Sequence, residues 1–339
     1  MLLALKVDVD TLRGTREGVP NLVVLLKKHA ADATFLFSLG PDHTGRAIKR
    51  AFRRGFLGKV RRTSVVRHYG MKTLMYGTVL PGPDIGRRAG DVMRATRDAG
   101  FETGIHCWDH VRWQDGVAAA NAAWTQSDMQ SACDRYQEVF GTAPLVHGAA
   151  GWQMNVHALR LTQRLGFEYC SDGRGTHPHL PVWNGELIRC PQLPTTLPTL
   201  DELIGRDNIT ETNVAAHLLE QTKSARSAHV FTLHAELEGM RLAPVFEQLL
   251  AGWKAQGWTL VSMRTLLGTL QPLALPRCEI GPGTVDGRSG TVLVQREEFL
   301  ADVDLGQTAW QLPAGRSVAM GDATATAAAR AISPPAACV

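Results

Sequence analysis

Asp8 and Asp10 stand two apart at the end of the apolar run Leu3 to Val9. On a strand both point to one side, and two close carboxylates do not stay ionised together without a cation beside them. His106 and His110 are spaced i, i+4 in the segment HCWDH. On a helical turn this spacing puts two imidazoles on one side, about 5–6 Å apart at Cβ, which suits two nitrogen ligands on one zinc-like ion. Asp10 or Asp8 can supply the oxygen ligand that completes an open three-ligand site. His234 closes the run Val230 to His234, where a histidine with a near-neutral pKa can protonate a leaving group. Asp172 can hydrogen-bond such a histidine and fix its tautomer. Each residue also has a plain structural role open to it: a polar strand end for Asp8 and Asp10, a strand cap for His234, a turn before Gly173 for Asp172. Trp108, Trp113 and Trp152 lie beside these positions and could stack on a sugar ring or fill a core. His177-Pro-His179 is a competing histidine cluster in a loop-like setting, while Glu236 and Glu238 read as a solvated loop or helix start.

Short strand-like runs must hold these residues: Leu3 to Val9, Thr34 to Leu39, Glu102 to His106, Leu145 to Gly148, Glu168 to Ser171, Val230 to His234 and Thr259 to Ser262. Helical patterns alternate with them over Val19 to His29, Asp91 to Ala99, Ser127 to Phe140, Asn155 to Leu165, Asn213 to Lys223 and Ala243 to Gln256. Strand and helix in alternation predict a parallel sheet. About seven such units, with no GxGxxG after the first strand, favour a closed or nearly closed (β/α) barrel. In such a barrel the C-terminal strand ends converge on one face, which is where the chemical candidates sit. From about Pro272 the alternation stops, and the tail 301–339, rich in Ala and Pro, reads as low-complexity and disordered.

The chain has 339 residues, 44% of them hydrophobic and 20% charged. That is a soluble globular composition, with no run near the roughly 18 apolar residues of a membrane span. Met1 to Leu5 is too short for a signal-peptide core, and six cysteines without CxxC spacing suit a reducing compartment. The net charge of +4 is local in origin: 43–72 holds ten Lys or Arg and no acid, while elsewhere 26 basic residues face 32 acidic ones. As a helix, 44–56 gathers Ala47, Ile48, Ala51, Phe52 and Phe56 in one arc and Arg46, Lys49, Arg50, Arg53 and Arg54 in the opposite one. This is the pattern of an interfacial helix on an anionic bilayer, and equally of a surface helix with solvated charges. A nucleic-acid partner is disfavoured by the acidic balance of the remainder.

Lys6-Val-Asp-Val-Asp10, His106 to His110 and Leu233-His234, in that order, resemble the motifs of the polysaccharide deacetylase (NodB-like, carbohydrate esterase) family. The segments LKVDVDT, TFLFSLGPDHTGRAIKR, GIHCWDH and HGAAGWQ are similar to the branch of that family that deformylates a formamido sugar carried on a polyprenyl phosphate. The resemblance implies an amide hydrolase built as a distorted (β/α) barrel over 1–300, with a basic insertion at 43–72. It implies one divalent ion, zinc ahead of manganese or cobalt, on Asp10, His106 and His110. It makes Asp8 the general base and His234 the general acid. By position, Asp172 is the candidate partner of that histidine, and Gly151, Trp152 and Trp108 are the candidates to meet the substrate. With a lipid-linked substrate, Ile48, Lys49, Arg50, Phe52, Arg53, Arg54 and Phe56 are expected to bind an anionic membrane, peripherally on the cytoplasmic face of the inner membrane. The implied role is lipid A modification and resistance to cationic antimicrobial peptides. Alternatives are a deacetylase of another amino sugar or cell-wall polysaccharide, and a barrel that binds sugar-lipid without turnover. Two departures stand out. A valine separates the two acids, and the segment that usually begins with an Arg holding the base reads His147-Gly-Ala-Ala-Gly-Trp152, leaving His147 as a candidate to orient Asp8.

Overall fold

A computed structural model describes residues 1–47, 71–225 and 227–299. The strands are, in chain order, β1 (Leu2–Val9), β2 (Thr34–Ser38), β3 (Glu102–Cys107), β4 (Val146–His147), β5 (Tyr169–Cys170), β6 (Leu180–Trp183), β7 (Glu186–Leu187), β8 (His229–His234), β9 (Thr259–Val261), β10 (Arg277–Gly283) and β11 (Val292–Glu298). Seven of them form a parallel half-barrel in the order β5-β4-β3-β2-β1-β8, with β9 also paired to β1. These seven correspond to the seven runs predicted from the sequence. β1 is the hub. One edge pairs with β8 from Leu3↔His229 to Asp8↔His234, and the other is shared between β9 at Leu2 to Ala4 and β2 at Lys6 to Val9.

The period of two in β1 decides what each face does. Leu3, Leu5, Val7 and Val9 are buried in the large core under the helices. Ala4 packs with Leu36, Val146, Tyr169 and Val230 inside the half-barrel, and the alternation carries Lys6 and Asp8 up the same inner face. Helices cover the outer face, and polar side chains cap their starts: Asn121 accepts the Trp124 N–H at 2.9 Å and Asn155 the Ala158 N–H at 2.8 Å. The helix Ala122–Phe140 ends at Gly141 with φ +75°, a backbone setting that glycine adopts without cost.

A second sheet, in the order β11-β10-β6-β7, was not predicted. Its strands carry Pro181, Gly281, Pro282 and Gly283, residues that weaken any strand pattern. Arg174 ties it to the chain leaving β5, donating its N–H to the Leu293 carbonyl and accepting from the Gln295 N–H. The turn between β10 and β11 carries Gly287 and Arg288 to the mouth of the half-barrel. No helix among the described residues is long and apolar enough to cross a membrane. The expected membrane-binding residues Ile48, Lys49, Arg50, Phe52, Arg53, Arg54 and Phe56, and the tail 301–339, lie outside the described residues.

Candidate active site

The turn after β1 is fixed by a carboxylate from the far end of the chain. Glu236 Oε1 accepts the N–H groups of Asp10 and Thr11 at 3.1 and 2.9 Å and the Thr11 hydroxyl at 2.8 Å. Such close docking needs glycines. A Cβ on Gly14 would lie 1.9 Å from Glu236 Oε1, and one on Gly18 would lie 2.0 Å from the Ala235 carbonyl. Glu236 and Glu238 are therefore not a solvated loop: both are buried under the site. Burial first, and for Glu236 also Asp10, pushes their carboxyls up to about 8 and about 7.

His106 is the fifth residue of β3, and its Nδ1–H donates to the Gly148 carbonyl at 2.7 Å. A carbonyl can only accept, so the proton sits on Nδ1 and Nε2 presents a lone pair. His110 opens the next helix, which Asp109 caps by accepting the Arg112 N–H. The two histidines thus straddle a tight strand-to-helix connection instead of sharing a helical turn, yet their ring centroids are 5.3 Å apart. Asp10 Oδ1 lies 3.3 Å from His106 Nε2 and 3.5 Å from His110 Nε2. Burial pushes the Asp10 carboxyl up, but His110 and His106 outweigh it and hold it well below the usual carboxylate range.

These residues sit in a cleft of about 500 Å³ that Asp8, Gln114, Gly151, Trp152, Asp201, His234 and Arg288 also line. His234 ends β8, with its N–H donated to Glu238 Oε2 at 2.8 Å and its Nδ1 3.9 Å from Asp201 Oδ1. Burial disfavours its charge, but the carboxylates of Asp201, Asp10, Glu238 and Asp8 raise it to about 9. Asp201, in the first turn of the short helix Leu200–Leu203, also lies 3.6 Å from Arg288.

The chain is 37% identical over 288 residues to a 4-deoxy-4-formamido-L-arabinose-phosphoundecaprenol deformylase ArnD of Shewanella sediminis, covering 85% of this chain and 92% of the relative. A second relative of the same name, from Wigglesworthia glossinidia brevipalpis, is 30% identical over 287 residues, covering 84% and 99%. The chain belongs to the ArnD deformylase family. Membership makes it a hydrolase of an amide C–N bond. Its fold is shared with a crystal structure from Mycobacterium smegmatis described as a polysaccharide deacetylase, at a TM-score of 0.57 and 16% identity over 84% of this chain and 94% of that one. No protein-family model matches the chain.

The expected ligand set of this deformylase family member comes together: one ligand atom each from Asp10, His106 and His110 lies within 4.8 Å of the others. Asp10 Oδ1 is buried without a hydrogen-bond donor, although two imidazole nitrogens face it. A carboxylate oxygen and two imidazole nitrogens converging on one point fit a divalent cation. Asp8 and His234 flank this cluster, and Gly151 lines the same cleft.

The remaining candidates are placed as follows. Asp172 does not reach His234: its Oδ1 accepts from His147 Nδ1 at 2.7 Å and the Ala149 N–H at 3.0 Å, and its Oδ2 accepts from Gln192. His147 is thereby committed to Asp172 and does not orient Asp8. Trp108 lines a separate small cavity with Asp128 and His147 instead of the cleft, with the Arg135 guanidinium over its ring at 5.3 Å. Trp152 does line the cleft but is 2% exposed, and Arg288, Arg174 and Lys6 lie 4.1, 5.1 and 5.5 Å from its ring centroid. Its ring is a platform for cations, not an open face for a sugar. His177 and His179 belong to no three-ligand set among the described residues. Asp201 and Arg288 carry no strand-end signal in the sequence and were not anticipated.

Proposed function

We propose that the protein is a metal-dependent deformylase that removes the formyl group from 4-deoxy-4-formamido-L-arabinose carried on undecaprenyl phosphate. The observation that carries this reading is the convergence of Asp10, His106 and His110 with Asp8 and His234 in one cleft. Asp10, His106 and His110 would hold one divalent ion, zinc ahead of manganese or cobalt, which when bound acidifies water and polarises an amide carbonyl. Asp8 takes a proton from the attacking water as its oxygen bonds to the formyl carbon. The N–H groups of Gly148, Ala149, Trp152 and Gln153 donate to Ile105, Asp172, Ala149 and Ala150, whereas those of Ala150 and Gly151 donate to no described residue. Of these two, Gly151 lines the cleft, and its N–H is the donor we assign to the oxyanion that forms. His234, with Asp201 beside it, delivers its proton to the sugar nitrogen as the C–N bond breaks, giving formate and a free amine.

Arg288 is the one Lys or Arg among the described residues that line the cleft, and it is the group we assign to the substrate phosphate. The product amine is cationic, and on lipid A it would lower the negative surface charge that cationic antimicrobial peptides exploit. Peripheral attachment to the cytoplasmic face of the inner membrane, through Ile48, Lys49, Arg50, Phe52, Arg53, Arg54 and Phe56, is supported by the amphipathic pattern of that segment and by a lipid-linked substrate. Incubation with the formamido-arabinose polyprenyl phosphate tests the function. Formate release supports it, while acetate release from an acetamido analogue with no formate from this substrate would point to a deacetylase.

A further inference from the structure

We propose that Lys6 is the positioning residue for Asp8, an inference that rests on the base role given to Asp8 above. Lys6 is 0% exposed and stands two residues before Asp8 on the inner face of β1. Its Nζ donates to the Ser171 carbonyl at 3.0 Å, beyond the end of β5, and lies 3.3 Å from Asp8 Oδ2. The third direction meets the Trp152 ring, whose centroid is 5.5 Å away. A carbonyl, a carboxylate and a π-face thus surround an ammonium that has three protons to place and no exposure to bulk solvent.

The pocket is built for this side chain. A Cβ on Gly148 would lie 3.1 and 3.3 Å from Lys6 Cε and Nζ and 2.4 Å from Leu36 Cδ1, so the room the lysine occupies exists because position 148 is glycine. A buried ammonium is costly unless paired, and Asp8 is the carboxylate within ion-pair distance of it among the described residues. The pairing is one-sided. Oδ2 is held by Lys6, whereas Oδ1 is buried with no hydrogen bond, 3.7 Å from a His106 Nδ1 whose proton goes to the Gly148 carbonyl, in a residue that lines the cleft. One oxygen is tethered and the other is left to accept a proton. The orienting role that the His147 segment does not fill is therefore filled from β1 itself, by a residue of the same strand as the base.

Lys6→Met keeps the length and apolar stem of the side chain but removes the tether, and Lys6→Arg restores a cation. Because misplacement of a reacting group costs on the order of 10²-fold in rate, we expect Lys6→Met to lower kcat by about that factor while KM and metal content stay as in the wild type. Lys6→Arg should recover roughly tenfold of the loss, since a guanidinium pairs well with a carboxylate. Wild-type kcat in Lys6→Met would overturn the inference while leaving the deformylase reading intact. So would parallel loss of metal and thermal stability in both variants, which marks a purely structural lysine. Absence of formate release by the wild-type protein in the same assay would instead remove the deformylase reading, and the base role of Asp8 with it.

Discussion

Glu236, 226 residues downstream of Asp10, accepts the Asp10 backbone N–H on its Oε1 at 3.1 Å. The turn after β1 that carries Asp10, a proposed metal ligand, is thus held by the loop after β8, through its backbone. Removing this support should act on metal binding before it acts on anything else. Glu236→Ala is expected to weaken metal affinity by about 10–100-fold, the usual cost of losing an outer-shell partner. Competition against a chelator measures it. Unchanged affinity would show that the Asp10 turn keeps its place without the clamp.

His106→Ala should lose both metal and formate release, whereas His234→Gln should keep the metal and lose about 10²–10⁴-fold in kcat. The pH profile gives a second check on His234. If its acid form is the donor, the His234 contribution to the rate is intact below its pKa and falls as pH rises through it. Asp201, Asp10, Glu238 and Asp8 together lift that pKa from 6.5 to about 9 against the effect of burial. A cation on Asp10 cancels part of the pull and leaves that of Asp201 and Glu238. The alkaline limb of kcat should then fall between 6.5 and 9, and it should be missing from the residual rate of His234→Gln. The same limb in both proteins would assign it to another group.

What the sequence discloses and what it hides have physical causes. The seven half-barrel strands are apolar runs flanked by helices with clear stops such as Gly141, so they are legible. Asp8, Asp10, His106, His110 and His234 are polar residues at their C-terminal ends, and a parallel α/β sheet gathers such ends by construction. β6 and β10 carry proline and glycine, which hide the second sheet and with it Arg288. Asp201 lies in a helical first turn capped by Thr199, indistinguishable from any surface acid. Glu236 looks solvated because nothing local shows that Gly14 and Gly18 let two backbones close over it.

Asp128 offers a prediction away from the chemistry. Both of its carboxylate oxygens are buried without a hydrogen-bond partner. Burial above all, with Asp109 adding and Arg112 at 3.7 Å opposing, raises its pKa from 3.8 to about 7. The folded state favours the protonated form, so its contribution to stability is intact below about pH 4 and is lost as pH rises through 7. Asp128→Asn should therefore match the wild type near pH 4 and be more stable at pH 8 by on the order of 1–3 kcal/mol. Thermal melts at the two pH values decide this, and an equal gain at both would place the cause elsewhere.

Arg288 stacks on Trp152 and donates its Nε–H to Glu202 at 2.6 Å, which leaves it rigid at the cleft wall. If it meets the phosphate, Arg288→Ala should raise KM for the polyprenyl-phosphate sugar by roughly tenfold, the worth of one charge-assisted contact, and leave a phosphate-free formamido sugar unaffected. Equal losses on both substrates would assign Arg288 to holding Trp152.

The central place of β1 has a consequence for synthesis. Among the described strands it is synthesised ahead of the rest, but its partners β8 and β9 begin only at His229 and Thr259. Until then the nascent chain has β2 to offer, and one whole side of the acid-bearing strand has no neighbour. A product truncated ahead of β8 would lack the Glu236 clamp and present a bare apolar edge, the kind of surface that seeds aggregation and that chaperones cover.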